Sequence, residues 1–277
     1  YYEDFGALSQ LAKAYREGYV YSGDYSRHRR RRHGNSSRDI RAGRLVVCIQ
    51  NHDQIGNRLG GERLGALVPF EALKLAAGAV LLSPFVPLLF MGEEYGEPAP
   101  FQYFVSHGDP ELIAAVREGR KREFAAFHRE GETPDPQDEA TFARCRLDHG
   151  LRDRGHHRLL RDFYRELLRL RRAEPVLRQL DKEMLEATVF DAEKVLLLRR
   201  WHGEDQLAIA LHFGEAPVTL TLPLPAGTWR CILDSAAACW GGPGSTVPTE
   251  TISTGQAAFS FAPHSVVLLA FSGERNN

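Results

Sequence analysis

What the sequence lacks narrows the reading first. Its 277 residues hold only four cysteines, Cys48, Cys145, Cys231 and Cys239, scattered singly. That is too few for a disulfide framework, and no C-x-x-C pair offers a structural zinc site. A reducing, cytoplasmic compartment is expected. Neither charge sign dominates, since 35 Lys and Arg face 36 Asp and Glu for a net charge of −1. Nucleic-acid binders carry a large positive excess, so no nucleic-acid partner is expected. Lysine is scarce, 5 against 30 arginines, which reads as the mark of a GC-rich genome. There is no phosphate-binding glycine loop, no serine-centred elbow and no internal repeat. The opening Tyr1-Tyr2-Glu3-Asp4 shows no initiator Met, basic stretch or apolar run. No secretory signal is expected, and the start reads as a piece of something longer. The sequon Asn35-Ser36-Ser37 should then go unused.

A long apolar span is missing too, although one stretch imitates it. Leu75 to Gly92 is free of charge, but Pro84 and Pro87 divide it. The first part, Phe70 to Leu82, places Phe70, Leu73, Ala77, Val80 and Leu81 at helical spacing. The second, Val86 to Met91, is a short continuous apolar run. A helix, a proline-marked break and a buried strand are expected there, and no membrane span.

What is present alternates in kind over residues 1–180. Ala7 to Glu17 predicts a helix with Leu8, Leu11, Ala12 and Tyr15 on one face. A basic loop from Arg27 to Arg44 follows, holding Arg29 to Arg32 and His33. Leu45 to Ile49 predicts a buried parallel strand. Asp109-Pro110-Glu111 has the form of a capped helix start, with Ile113, Val116, Phe124 and Phe127 facing inward as far as Arg129. Glu130 to Glu139 is expected to be loop. His156 to Arg172 carries a stripe of Leu159, Leu160, Phe163, Leu167 and Leu170. Strand, helix, strand, helix predicts a parallel sheet with right-handed crossovers. Two such strands are too few to enclose a core, so further strands are expected outside this chain. From 181 to 277 the pattern turns to short strands: 186–190, 194–201, 206–213, 218–222, 229–233, 257–261 and 265–271. Strict alternation in Val218-Thr219-Leu220-Thr221-Leu222 marks an antiparallel strand with one wet face. A small all-β domain, able to fold from about residue 183 onward, is expected.

Chemistry is expected where the parallel strands end. The first runs into Gln50-Asn51-His52-Asp53-Gln54-Ile55-Gly56-Asn57-Arg58 and the second into Met91-Gly92-Glu93-Glu94-Tyr95-Gly96-Glu97. On residue type alone, Asp53 with Glu93 or Glu94 forms a carboxylate pair suited to glycosidase acid–base work. The competing reading is that strand ends are polar because they are wet. His156-His157 has no Cys or acidic partner at ligand spacing, so no metal is expected.

These residues resemble a known family. Val46 to Asp53, a strand closing in Asn-His-Asp, is similar to a signature segment of the α-amylase superfamily. The extended run Asn51 to Arg58, with Gly61-Glu62-Arg63-Leu64, Pro87 to Glu97, Pro100 to Phe104 and the opening Tyr1 to Gly6, resembles the malto-oligosyltrehalose trehalohydrolase family. The resemblance covers most of residues 1–130. It implies an α/β plus all-β chain: the last two βα units of a (β/α)8 barrel over 1–180, then an antiparallel β-sandwich over 181–277. It implies retaining hydrolysis of an α-1,4 bond beside a terminal trehalose, without cofactor. The nucleophilic Asp and acid Glu would lie on earlier strands, so this chain alone would be inactive. Asp53 would be the third carboxylate, which steadies the distorted ring, and His52 would bond the same hydroxyls. Glu93 and Glu94 would then be rim residues. Asn51, Gln54, Asn57, Arg58, Glu94, Tyr95, Phe101 and Tyr103 become candidate contacts to an α-glucan, with Phe104 a further flat ring. For Gln54 a contact to the trehalose side competes with a role in holding its own loop. The partners implied are malto-oligosyltrehalose, or a related glucan, and the missing barrel half. A branching enzyme or a non-catalytic glucan-binding protein is the alternative.

Overall fold

The computed structural model describes residues 3–126 and 134–272. Tyr1, Tyr2 and Phe127 lie outside that range, and so does the side chain of Phe124. The first elements are α1 (Leu8–Glu17), a hairpin of β1 (Asp24–Ser26) and β2 (Arg31–His33), β3 (Val46–Val47), α2 (His52–Gly56), α3 (Phe70–Leu81) and β4 (Val86–Pro87). Helices α4 (Pro110–Ala126), α5 (Glu139–Arg144), α6 (Gly155–Ala173) and α7 (Pro175–Arg178) follow. The expected helices form where periodicity put them. Along α6, Leu160, Phe163, Leu167 and Leu170 are buried. Asp109 opens α4 by accepting the Glu111 N–H at 2.8 Å. No described helix is long and apolar enough to cross a membrane.

Two expectations change. The basic loop begins inside a hairpin, with β1 just before it and β2 within it, because Asp4 supplies an anchor that local composition does not reveal. Its carboxylate accepts from Tyr21 Oη and Ser26 Oγ, each at 2.6 Å, and from Arg27 N at 2.9 Å. These bonds hold the carboxyl well below the usual carboxylate range. The parallel strands are shorter and wetter than expected. Val46 pairs with Val86 and Val47 with Pro87, but Val46 is 62% exposed, and Leu88, Leu89 and Met91 are exposed as well. The reason is simple: among the described residues this pair has no third strand, and two short strands cannot cover both faces.

The chain forms two compact units. One takes the residues up to Val47, Glu71–Leu88 and those from Asp162 onward; the other takes Cys48–Phe70 and Leu89–Arg161. The first is built on eight antiparallel strands: β5 (Leu185–Phe190), β6 (Val195–His202), β7 (Asp205–His212), β8 (Val218–Leu222), β9 (Gly227–Asp234), β10 (Glu250–Ser253), β11 (Ala257–Phe261) and β12 (Ser265–Ser272). Six make one sheet in the order β10-β9-β12-β7-β6-β5, and β8 pairs with β11 separately.

Both faces of the central strands β6, β7 and β12 are dry. Leu197, Ala210, Val267 and Leu269 pack with Leu222, Phe259 and Phe261 of the β8–β11 pair around Trp229. The opposite face carries Leu196, Leu198, Ile209, Leu211, Val266 and Leu268, all at most 1% exposed. Helices of the same unit lie on that side: a Cβ added at Gly78 of α3 would stand 2.8 Å from Val266 Cγ1. Continuous apolar runs in β6, β7 and β12, rather than alternation, follow from this two-sided burial.

Two buried cations, Arg200 and Lys74, and the half-buried Arg171 finish the packing by satisfying carbonyls at and beyond helix ends. Arg200 donates to Leu82 O at 2.8 Å, Val176 O at 3.1 Å and Gln179 O at 2.7 Å. Arg171 donates to the carbonyls of Leu81, Ser83 and Phe85. Lys74 Nζ donates to Ser235 O at 2.7 Å and Trp240 O at 3.1 Å. Desolvation brings the Arg200 guanidinium down to about 10. The sheet from residue 185 onward thus shares its compact unit with α1, α7 and most of α3 and α6.

Candidate active site

The site segment begins with a capped turn. Asn51 Oδ1 accepts the N–H of Asp53 at 2.8 Å and of Gln54 at 3.4 Å. In return Gln54 Oε1 accepts the Asn51 N–H at 2.8 Å, closing a reciprocal capping box. Asn51 and Gln54 thus spend their side-chain oxygens on the turn, which is the loop-holding reading of Gln54. The turn presents its next two residues outward. His52 Nε2 lies 3.3 Å from Asp53 Oδ1, with the side chains 69% and 74% exposed. Ile55 alone of α2 is buried and anchors it.

Past the turn, Asn57 is exposed, its N–H donating to Asp53 O at 3.1 Å. Arg58 Nε donates to Glu62 Oε2 at 3.1 Å. Gly61, at φ +68°, passes so close to Phe101 that an added Cβ would sit 2.6 Å from the Phe101 carbonyl oxygen. Only glycine fits there. Phe101 N donates to Gly61 O at 2.8 Å, and its ring meets Phe90 edge-on at 5.3 Å.

The second segment divides its expected contacts. Glu94 is half-buried, while Glu93 is buried beside Gln50. Glu93 is therefore no wet rim group. Tyr95 departs from expectation most: it is 2% exposed and its hydroxyl donates to Glu97 at 2.8 Å. Burial and that carboxylate push the phenol up. A ring so enclosed has no face for a sugar, and Tyr95 is a core residue here. Glu97 also accepts the N–H of Ala99 and of Asp148, each at 2.8 Å. Tyr103 and Phe104 are exposed. The Arg120 guanidinium lies 5.0 Å from the Tyr103 ring centroid, and Phe104 meets Phe142 at 5.2 Å.

Sequence reasoning missed Arg63, which is buried and donates to Ala99 O and Met91 O. An arginine between glutamate and leucine in a loop gives no local sign of burial. His157 finds its partner in the Tyr95 carbonyl at 2.8 Å. Among the described residues no group of three or more His, Cys, Asp or Glu is placed to hold a metal.

Comparison with known proteins supplies the class. A solved Salmonella typhimurium protein, described provisionally as an alpha amylase, superposes with a TM-score of 0.80 at 32% identity. It covers 98% of this chain, which spans 43% of it. The alpha-amylase of H. orenii, at 16% identity and a TM-score of 0.50, shares the fold. Residues 185–268 match a family described as a domain of unknown function, DUF3459. The chain belongs to the α-amylase superfamily of glycoside hydrolases.

Within that superfamily its family is malto-oligosyltrehalose trehalohydrolase. The Rhizobium sp. (strain M-11) enzyme of that name is 43% identical over 226 residues, covering 80% of this chain. That of Saccharolobus solfataricus is 45% identical over 172 residues, covering 62% of it. The chain spans 37% and 29% of the lengths of these two relatives.

Proposed function

We propose that this chain is the carboxyl-terminal part of an enzyme that hydrolyses the α-1,4 bond next to the terminal trehalose of malto-oligosyltrehalose, releasing trehalose. One observation carries the reading: a capped turn offers His52 and Asp53 side by side to solvent, in a chain with relatives of that name. Residues 1–180 would supply the last two βα units of the barrel and 181–277 its β-sandwich.

Chemistry would be retaining. The nucleophilic Asp and the acid Glu come from earlier barrel strands, about 5–5.5 Å apart. Asp53 accepts hydrogen bonds from the ring hydroxyls flanking the reacting carbon, and His52 donates to the same hydroxyls. Both interactions strengthen as the ring flattens toward the oxocarbenium-like state, so they act on the barrier rather than on ground-state binding. Asn57, Arg58, Glu94, Phe101 and Tyr103 are the remaining candidates to line the glucan path; Asn51 and Gln54 hold the turn. The reaction needs no cofactor, and the enzyme works in the cytoplasm.

Product analysis tests this. Full-length protein should release trehalose from malto-oligosyltrehalose faster than it cleaves plain malto-oligosaccharide. The described piece by itself should release none. Branching of glucan without trehalose release would instead mark a different member of the superfamily.

A further inference from the structure

Gln50 has no part in the chemistry above, yet it is the best-braced side chain of the segment. It is 8% exposed, and its amide works in two directions. Oε1 accepts the Leu64 N–H at 2.9 Å, and Nε2 donates to Glu93 Oε2 at 3.5 Å. One side chain thus ties the segment entering α2 to two others, the turn at Leu64 and the loop at Glu93. Arg63, next to Leu64, ties the last two of these segments together again. Its Nε donates to Ala99 O at 2.6 Å and its Nη1 to Met91 O at 2.7 Å, while the guanidinium lies 5.0 Å from the Phe90 centroid.

The frame points at the residues that meet sugar. Gln50 precedes Asn51, whose side chain fixes the N–H groups of Asp53 and Gln54. A shift at Gln50 is carried through the cap into the direction of His52 and Asp53. A primary amide suits this place because it donates to a carboxylate and accepts from a backbone N–H at once. An ionised carboxylate there would only accept, and an apolar side chain would do neither.

We propose that Gln50, with Arg63 behind it, is a positioning residue that aims His52 and Asp53 at the sugar ring. The inference rests on the hydrolase reading given above. Displacing a catalytic constellation by about 1 Å can cost on the order of 10² in rate, so a polar frame three residues from Asp53 has leverage.

The test is an exchange of the two groups in the full-length protein. Gln50→Glu sets two carboxylates against each other. Adding Glu93→Gln restores an amide–carboxylate bond in the reverse sense and leaves an acceptor for Leu64. The single variant should lower kcat for trehalose release about 10-fold or more with KM little changed. The double variant should recover most of that loss. Hydrogen exchange at the Asp53 and Gln54 amides should quicken in the single variant and slow again in the double. Gln50→Met, neutral and of similar length, should behave like the single variant if the charged one does not fold. Wild-type kcat in both single variants overturns the proposal. So does a loss that the double variant leaves unrepaired while melting like wild type. Should wild type release no trehalose, the hydrolase reading has failed by itself. Unchanged exchange at Asp53 and Gln54 would then overturn positioning, and quickened exchange would sustain it.

Discussion

The two units hold their backbones in opposite ways. In the sheet-bearing unit, β6, β7 and β12 are apolar on both faces, and the buried Arg200 and half-buried Arg171 meet helix-end carbonyls. In the unit around α2, loops are fixed by single polar side chains: Asn51, Gln50, Arg63 and Glu97. The first arrangement spreads its stability over many contacts. The second concentrates geometry in a few hydrogen bonds and leaves His52 and Asp53 wet. Substitutions should accordingly cost stability in the first unit and rate in the second.

The largest test removes the helices from the sheet. A piece covering residues 183–272 leaves the face of Leu196, Leu198, Ile209 and Leu268 open to water. We expect it to aggregate and to lack a sharp thermal transition by circular dichroism. A monodisperse, cooperatively melting piece would show that the β8–β11 side alone sustains the sheet. Next comes Asp53→Asn in the full-length enzyme. Removing the charge should lower kcat by about 10² to 10³, roughly 3–4 kcal/mol, with KM and melting temperature nearly unchanged. A stability loss with kcat intact would make Asp53 a turn residue only.

Arg200→Met works from the other side. It strands the Leu82, Val176 and Gln179 carbonyls, and unpaired buried groups cost about 1–3 kcal/mol each. A net loss of roughly 3 kcal/mol should appear in denaturant unfolding, without a change in kcat of the folded fraction. Asn51→Ala should cost about 1 kcal/mol, the usual worth of an N-cap. Its effect should appear as a lowered kcat more than as a lowered midpoint.

The smallest effect follows pH. His212 is buried, its Nδ1–H donating to Ala262 O at 2.8 Å, and desolvation lowers its pKa below 6.5. The unfolded chain therefore takes up the proton first. The His212 contribution is present above about pH 6.5 and is lost as pH falls below it. Unfolding midpoints of wild type and His212→Gln should draw together as pH falls below 6.5.

Most of the sheet was legible because burial leaves a period. The alternation of Val218 to Leu222 matched β8, and the stripe of α6 matched its buried face. Strand β10 was missed since its one large apolar residue, Ile252, is 77% exposed at the sheet edge. The hairpin that leads into the arginine-rich loop was missed because its anchor, Asp4, lies more than twenty residues from Ser26 and Arg27. The residues of the turn, Asn51 to Asp53, were legible from their resemblance. Tyr95 was misplaced, and Arg63 passed over, for one shared reason: hydrogen bonds between distant loops leave no trace in local spacing.

Arg171 and Arg200 have a further consequence. Each donates to three peptide oxygens, acceptors that carry no net charge and have no counterion to attract. Concentrated salt shortens the reach of exposed charges to about 3 Å at 1 M. Surface pairs such as Arg38 with Glu17 and Arg169 with Glu166 should then fade. The buried Arg200 guanidinium, and the half-buried Arg171 beside the same carbonyl segment, should hold in brine as they do in dilute buffer.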